Sequence, residues 1–354
     1  MKKTINRKYI IGIIISVIVV VLVIVLIKFV ISASGHQNNI SESGDEVHDI
    51  VNELSYNLDA GKTTIDIYSK NYDNVIHAIE LLYDDPEYFW LSRDYSIVTI
   101  KGFQRISFSV YYPEYKDMLV EIDKSANAII DGIDKNVSDY EKIKWVHDEL
   151  CSRITYISTD SEDEHNIYGA LVKGRAVCEG YAKSFDYILK KLGFETIYFS
   201  GTSVKDGISI PHSWNGVYID DELYYFDVTW DDSDDNIISY SYFGVTSNEI
   251  LKYHSFDQYH PVIDSKADTY NYYMYNDLIL YEYSKENVAA LINKQNEIIE
   301  IKCNSIIVYE NMLSMLESPY HLNEILKMTN KNDKFNSYTY IIDDSTYLIR
   351  LFFE

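Results

Sequence analysis

Cysteine is scarce in this chain of 354 residues: Cys151, Cys178 and Cys303 are all it has. Three is odd, and too few for a disulfide framework at this length, so at least one thiol stays free. Basic residues are few as well. The chain sets 31 Lys and Arg against 55 Asp and Glu, and its formal charge of −24 repels a phosphate backbone over most of the surface. Nucleic acid is thereby excluded as a partner. There is no Gly-rich phosphate loop, no paired metal-ligand spacing of the finger type and no short-period repeat. What remains is the composition of a folded protein, 47% hydrophobic and 24% charged, with length for two or three domains. The 34 tyrosines are spread through strand-like runs, as β-sheet composition predicts.

Charge is absent from Tyr9 to Ile27, a run dominated by Ile and Val that Phe29 to Ile31 extend beyond Lys28. The run is long enough to span a bilayer and longer than the apolar core of about 7–15 residues of a secretory signal. The basic flank of residues 1–8 precedes it, and no Lys or Arg follows Lys28 until Lys62. The positive-inside rule then predicts a single-pass anchor over 9–31 with a cytoplasmic N-terminus and an extracytoplasmic remainder. Residues 32–46, "SASGHQNNISESGDE", are polar and without apolar period, and read as a tether.

Beyond the tether the pattern is α+β. Residues 47–134 alternate strand-like runs ("TTIDIYS", "YSIVTI" and "ISFSVYY", the last two separated by "KGFQR") with helical ones over Val75–Leu82 and Met118–Ile133. At 135–262 the signals sharpen. "SDYEKIKWVHDELCSRI" opens with Ser138 and Glu141 spaced as a capping box, followed by Ile143, Val146, Leu150 and Ile154 at helical spacing. Residues 263–354 read as a smaller α+β region. It has strand-like runs "NYYMYNDLILYEYS", "EIIEIKC" and "SYTYIIDDSTYLIRLFF", and helical ones around Val288–Ile292 and Tyr309–Leu316.

The stretch "GRAVCEGYAKSFDYILKKLG" puts Cys178 where an extended segment turns into a helix. Ala182, Phe185, Ile188, Leu189 and Leu192 recur three and four apart, and Gly193 supplies a left-handed stop. Unpaired N–H groups and the positive end of the helix dipole favour a thiolate there. A free Cys is also a good small core residue, so this stretch leaves nucleophile and packing residue both open. A second stretch bears on the choice. "HSWNGVYI" and "ELYYFDVTW" form a hairpin around Asp220-Asp221. An even loop makes pairing sums odd, and 212 + 227 is odd, so His212 and Asp227 face the same side of the sheet within reach of each other. An imidazole oriented by a carboxylate can take a thiol proton.

These segments, with "SDYEKIKWVHDEL" before them, closely resemble the bacterial transglutaminase-like (transglutaminase/protease-like) proteins of the papain-like cysteine-enzyme superfamily. "LLYDDPEYFWL" resembles a segment upstream of the core in membrane-anchored members, so the resemblance covers roughly residues 45–262. It implies an α+β papain-like core, with the Cys helix packed on an antiparallel sheet. It implies Cys178 as nucleophile, His212 as general base and acid, and Asp227 orienting His212. Tyr156 matches the aromatic oxyanion-donor position, and a packed core tyrosine is its other reading. Ser213 stands where family members often carry Ala. The activity implied is attack on amide bonds of peptides or cell-surface proteins through a thioester, ending in hydrolysis or acyl transfer, with no cofactor and no metal. Two rivals are an inactive domain serving as a cell-surface or cell-wall binding module, and a zinc site made of Cys178, His212 and Asp227.

Other residues invite two readings each. Trp214 and Trp230 flank the site, as substrate-cleft lining or as core. His147 and Cys151 stand four apart on one helix face, a spacing that reads as core packing more than as a metal site, and "DDSDDN" (231–236) reads as a solvated acidic turn. From the anchor it is expected that protease added outside intact cells removes the mass beyond about residue 33. Full protection of that mass would overturn the orientation.

Overall fold

The structure is a computed structural model and describes residues 43–353, apart from 160, 206, 233–236, 297, 318 and 331–337. The basic flank, the anchor and most of the tether lie outside the described residues. The end of the tether does not: a helix begins at Ser43 and runs Ser43–Asp59. Its residues Val47, Ile50, Leu54 and Leu58 lie on one buried stripe, which reaches back to the edge of the polar segment. Among the described residues no helix is long and apolar enough to cross a membrane.

Three sheets organise the α+β fold. The first is three-stranded and antiparallel, with Phe103–Val110 between Thr64–Ile67 and Leu91–Ile100. Its hairpin turn is Lys101-Gly102 alone, so Phe103, Gln104 and Arg105 of "KGFQR" belong to the strand. Helix Tyr72–Asp84 packs against helix Ser43–Asp59. The second sheet is five-stranded and antiparallel, in the order His254–Phe256, Thr196–Lys205, Ile208–Ile219, Glu222–Phe226, Phe243–Val245. The third closes the C-terminal region in the order Ile279–Leu280, Ile298–Cys303, Leu348–Phe353, Tyr338–Asp343.

One continuous hydrophobic core runs from Val47 to Phe243, so residues 47–134 and the following region are packed as a unit. The C-terminal region has its own core around Ile299, Ile301, Met312 and Leu351. Two expectations there need correcting. "NYYMYNDLILYEYS" contains the helical turn Tyr272–Tyr275, capped by the Asn271 side chain, and only Ile279–Leu280 as strand. Helix Pro319–Leu326 was not expected at all.

The helix Cys178–Lys191 is the centrepiece. It was read as amphipathic, but every residue from Gly180 to Leu189 is buried, because the five-stranded sheet covers one side and helices Asp139–Arg153 and Ile167–Leu171 cover others. Its N-terminal turn is wedged under the segment Glu164–Asn166. The Val177 N–H donates to the Glu164 carbonyl at 2.9 Å. A methyl group at Gly180 would lie 2.8 Å from that same carbonyl oxygen, and 2.7 Å from Ala176 Cβ. Only hydrogen fits there. In an open helix interior Gly→Ala stabilises by up to about 1 kcal/mol. Here Gly180→Ala is expected to destabilise by about 1–3 kcal/mol through overpacking. Equilibrium urea unfolding gives the sign, and a stabilised variant would refute the wedge.

Candidate active site

The nucleophile candidate is placed by backbone contacts on both sides. Val177 is the N-cap in extended conformation, so Cys178 is the first residue of its helix and remains partly exposed. Two residues before it, Ala176 pairs with Tyr156 in a short parallel ladder. That ladder sets Tyr156, half-exposed, on the wall of the cleft that Cys178 also lines.

The histidine and the carboxylate come from the expected hairpin. Asp220 and Asp221 both have positive φ (53° and 64°), the two-residue turn whose twist suits paired strands. Asn215 lies opposite Phe226, so His212 and Asp227 are diagonal neighbours on one face. The strand stops at Phe226 and "DVTW" turns into the helical turn Val228–Asp231, so Asp227 is the N-cap of that turn and not a strand residue as expected. Its Oδ1 accepts from the Trp230 N–H at 3.1 Å, and its Oδ2 lies 2.7 Å from His212 Nε2. His212 is 4% exposed and Asp227 0%. Burial works against a charge on His212, but the Asp227 carboxylate and the hydrogen-bonded Cys178 outweigh it and raise its pKa to about 10. Burial likewise opposes ionisation of Asp227, yet His212 and His254 hold its pKa well below the usual carboxylate range.

The other two cysteines are differently placed. Burial drives the Cys151 thiol well above its ordinary pKa and pushes that of Cys303 up to about 12. Cys151 does not pair with His147. Its thiol donates to the Val228 carbonyl at 3.7 Å, while His147 stands between Asp148 at 3.0 Å and Asp231 at 3.3 Å. Asp231 is therefore buried, not part of a solvated turn, and Asp232 accepts from the Tyr181 hydroxyl at 2.5 Å; residues 233–236 of "DDSDDN" lie outside the described residues.

Trp214 and Trp230 do not line the cleft. Trp214 is fully buried in a separate, smaller core of the five-stranded sheet with Phe199, Tyr225 and Tyr242, where its ring meets Phe199 and Phe256. Trp230 packs its ring 5.4 Å from the His212 ring and supplies the N–H that fixes Asp227.

The cleft, about 510 Å³, is built by more of the chain than the sequence motifs indicate. Glu179, next to Cys178, accepts from Arg93 at 2.6 Å, Lys183 at 2.8 Å and His165 at 3.1 Å. Its burial favours the neutral acid, but Lys183, His165 and Arg93 keep it ionised. On the facing wall His260 bridges Asp84 at 2.7 Å and Asp257 at 3.0 Å. Arg93 and Asp84 belong to the N-terminal region, which thus closes one side of the cleft. Glu179–Lys183 and Asp257–His260 are local pairs, four and three residues apart, but no local spacing announces the contacts of Arg93 with Glu179 and of Asp84 with His260, which join separate elements.

His212, Asp227 and His254 also offer three ligand atoms within 4.8 Å of one another. Ligands of a tetrahedral zinc at its usual bond lengths stand about 3.3 Å apart. The imidazole nitrogens lie 2.7 and 2.9 Å from the same carboxylate oxygen, which is hydrogen-bond and not shared-ion geometry. Cys178 is not among these ligand atoms, so the described residues do not gather the zinc site read from Cys178, His212 and Asp227.

Residues 127–228 match the model of the transglutaminase-like superfamily. None of the curated proteins matches the chain. Three solved structures are similar. A candidate cysteine protease from Cytophaga hutchinsonii is 15% identical over 38% of this chain and 61% of its own, at a TM-score of 0.28. A TGase is 15% identical over 48% of this chain and 52% of its own, at 0.29. An arylamine N-acetyltransferase from Bacillus cereus with a Cys-His-Glu triad is 20% identical over 33% of this chain and 52% of its own, at 0.22. The chain spans about half to three fifths of the length of these structures.

The raised His212 pKa has a sign that can be tested. A histidine that titrates near 6.5 when unfolded and near 10 when folded contributes stability fully present below pH 6.5 and lost as pH rises through 10. Urea unfolding across that window is expected to show a falling stability that flattens in His212→Gln. Parallel curves for the two proteins would mean that His212 is not held protonated.

Proposed function

We propose that the chain is a membrane-anchored, extracytoplasmic cysteine enzyme acting on amide bonds through a Cys178-His212-Asp227 triad. One observation carries this reading: His212 lies 2.7 Å from the buried Asp227 through Nε2 and is also hydrogen-bonded to Cys178, which starts its helix and lines the cleft with His212. The transglutaminase-like domain over 127–228 supports an enzyme of this class. The extracytoplasmic location rests on the uncharged run Tyr9 to Ile27 after a basic flank.

In the proposed reaction the Cys178 thiolate attacks the amide carbonyl carbon. In this reading the Cys178 N–H and the Tyr156 hydroxyl, whose residues both line the cleft, receive the developing oxyanion. His212 then gives its proton to the leaving amine as the C–N bond breaks, which leaves a thioester on Sγ. Neutral His212 next takes a proton from the acceptor, water or an amine, as that acceptor attacks the thioester and the thiolate is released. The substrates proposed are peptides or cell-surface proteins. The cleft is open and is lined by charged groups, which suits an extended polar chain more than a small apolar acyl donor.

Because Cys178 is partly exposed while the other two thiols are buried with raised pKa values, iodoacetamide should modify Cys178 first below pH 8. Peptide mass mapping after a short exposure decides it. Equal, slow labelling of all three would sink the enzyme reading and leave a binding module.

A further inference from the structure

Asp227 Oδ2 carries a second hydrogen bond that the triad does not explain. His254 Nε2 lies 2.9 Å from it, and His254 Nδ1 lies 3.2 Å from the Ile250 carbonyl. His254 is 1% exposed, on the edge strand His254–Phe256, 27 residues past Asp227 and outside the domain match. Its ring is enclosed by Trp230 at 4.7 Å, Trp214 at 4.8 Å, His212 at 5.4 Å and Tyr242 at 5.5 Å. It lines no part of the cleft, so it cannot touch substrate.

We propose that His254 is a positioning residue of this site: its Nε2–H holds the same Asp227 Oδ2 that His212 uses, from a separate strand, and so fixes the carboxylate plane that orients the His212 ring. The inference rests on the triad reading. The Trp230 N–H alone anchors Oδ1 and leaves the carboxylate able to turn about Cβ–Cγ. A second fixed donor on Oδ2 removes that freedom, and with it the rocking of the imidazole relative to Cys178. A buried carboxylate deprived of one of three donors also keeps an unmet lone pair, which drives it to seek another arrangement. The groups facing His254 are Asp227, His212, Tyr242, Trp214, Trp230 and the Ile250 carbonyl, and the tautomer that serves Asp227 carries its proton on Nε2.

The test uses the full-length protein and the rate of Cys178 alkylation by iodoacetamide near neutral pH, with thermal unfolding as a control for the fold. His254→Leu should slow alkylation about tenfold, the order expected for losing a hydrogen bond to a buried charge. His254→Gln, which keeps one donor toward Asp227, should recover most of that loss. In an Asp227→Ala background His254→Leu should have no further effect, because a positioning residue acts only through the group it positions. A His254→Leu rate equal to wild type, or a loss that multiplies with that of Asp227→Ala, overturns the proposal while leaving the triad reading intact. If wild-type Cys178 labels no faster than Cys151 and Cys303, both fall together. Should His254→Leu not fold, the Gln variant decides alone: a near wild-type rate supports the role, and a tenfold loss overturns it.

Discussion

The site depends on keeping one carboxylate ionised where there is no water to solvate it. Asp227 is fully buried, and taking such a group out of water costs several kcal/mol unless donors replace the solvent. Three do: the Trp230 N–H, His212 and His254. Each comes from a different local structure, a helical turn, a central strand and an edge strand. The five-stranded sheet is therefore what makes an ionised Asp227 possible, and the ionised Asp227 is what raises the proton affinity of His212. Removing any one donor leaves a buried charge partly unpaired, which is more damaging than never having built the charge at all.

The same logic of replacement governs the other end of the site. The Cys178 helix is buried on nearly all sides, so its N-terminal turn must be approached closely by other backbone, and Gly180 is the residue that permits it. The segment that makes this approach is itself held by Glu164, whose carboxylate accepts from the Thr159 N–H at 2.7 Å and hydroxyl at 2.8 Å. Position at Cys178 is thus set by main-chain contacts, while orientation at His212 is set by side-chain charge. The two halves meet across the cleft without sharing a rigid element, and the common core beneath them fixes their separation.

How much of this was legible in the sequence follows from which forces are local. The Ser138 capping box, the Gly193 stop and the Asp220-Asp221 turn are short-range devices, and each was readable with its correct position. The parity that puts His212 and Asp227 on one face follows from the two-residue turn, so their contact was readable too. What was missed is long-range. Trp214 was readable as cleft lining or as core, and only the packing of its ring into the aromatic core of the sheet decides for the second. His254 gave no signal, because its pairing with Asp227 depends on the strand order that sets His254–Phe256 beside Thr196–Lys205. The strand expected through Tyr272 failed for a local reason: tyrosine-rich composition favours strands, yet the Asn271 side chain accepts from the Tyr273 and Met274 N–H groups and starts a helical turn.

The match to a known domain ends at residue 228, and the chemistry of the cleft does not. Cys178, His212, Asp227 and Tyr156 lie inside it, while Arg93, Asp84, His254 and His260 lie outside. The inside group contains the proposed triad and oxyanion donor. The outside group shapes what surrounds it: Arg93 and Asp84 tie the N-terminal region to Glu179 and His260 across the mouth of the cleft. Because that region shares a single core with the domain, it cannot be removed without exposing the apolar surface under both. Under the proposed function, reaction type and substrate choice are carried by different parts of one folded unit. On that proposal, changes on the Arg93 side alter what the cleft admits, while those around Asp227 alter how His212 is oriented.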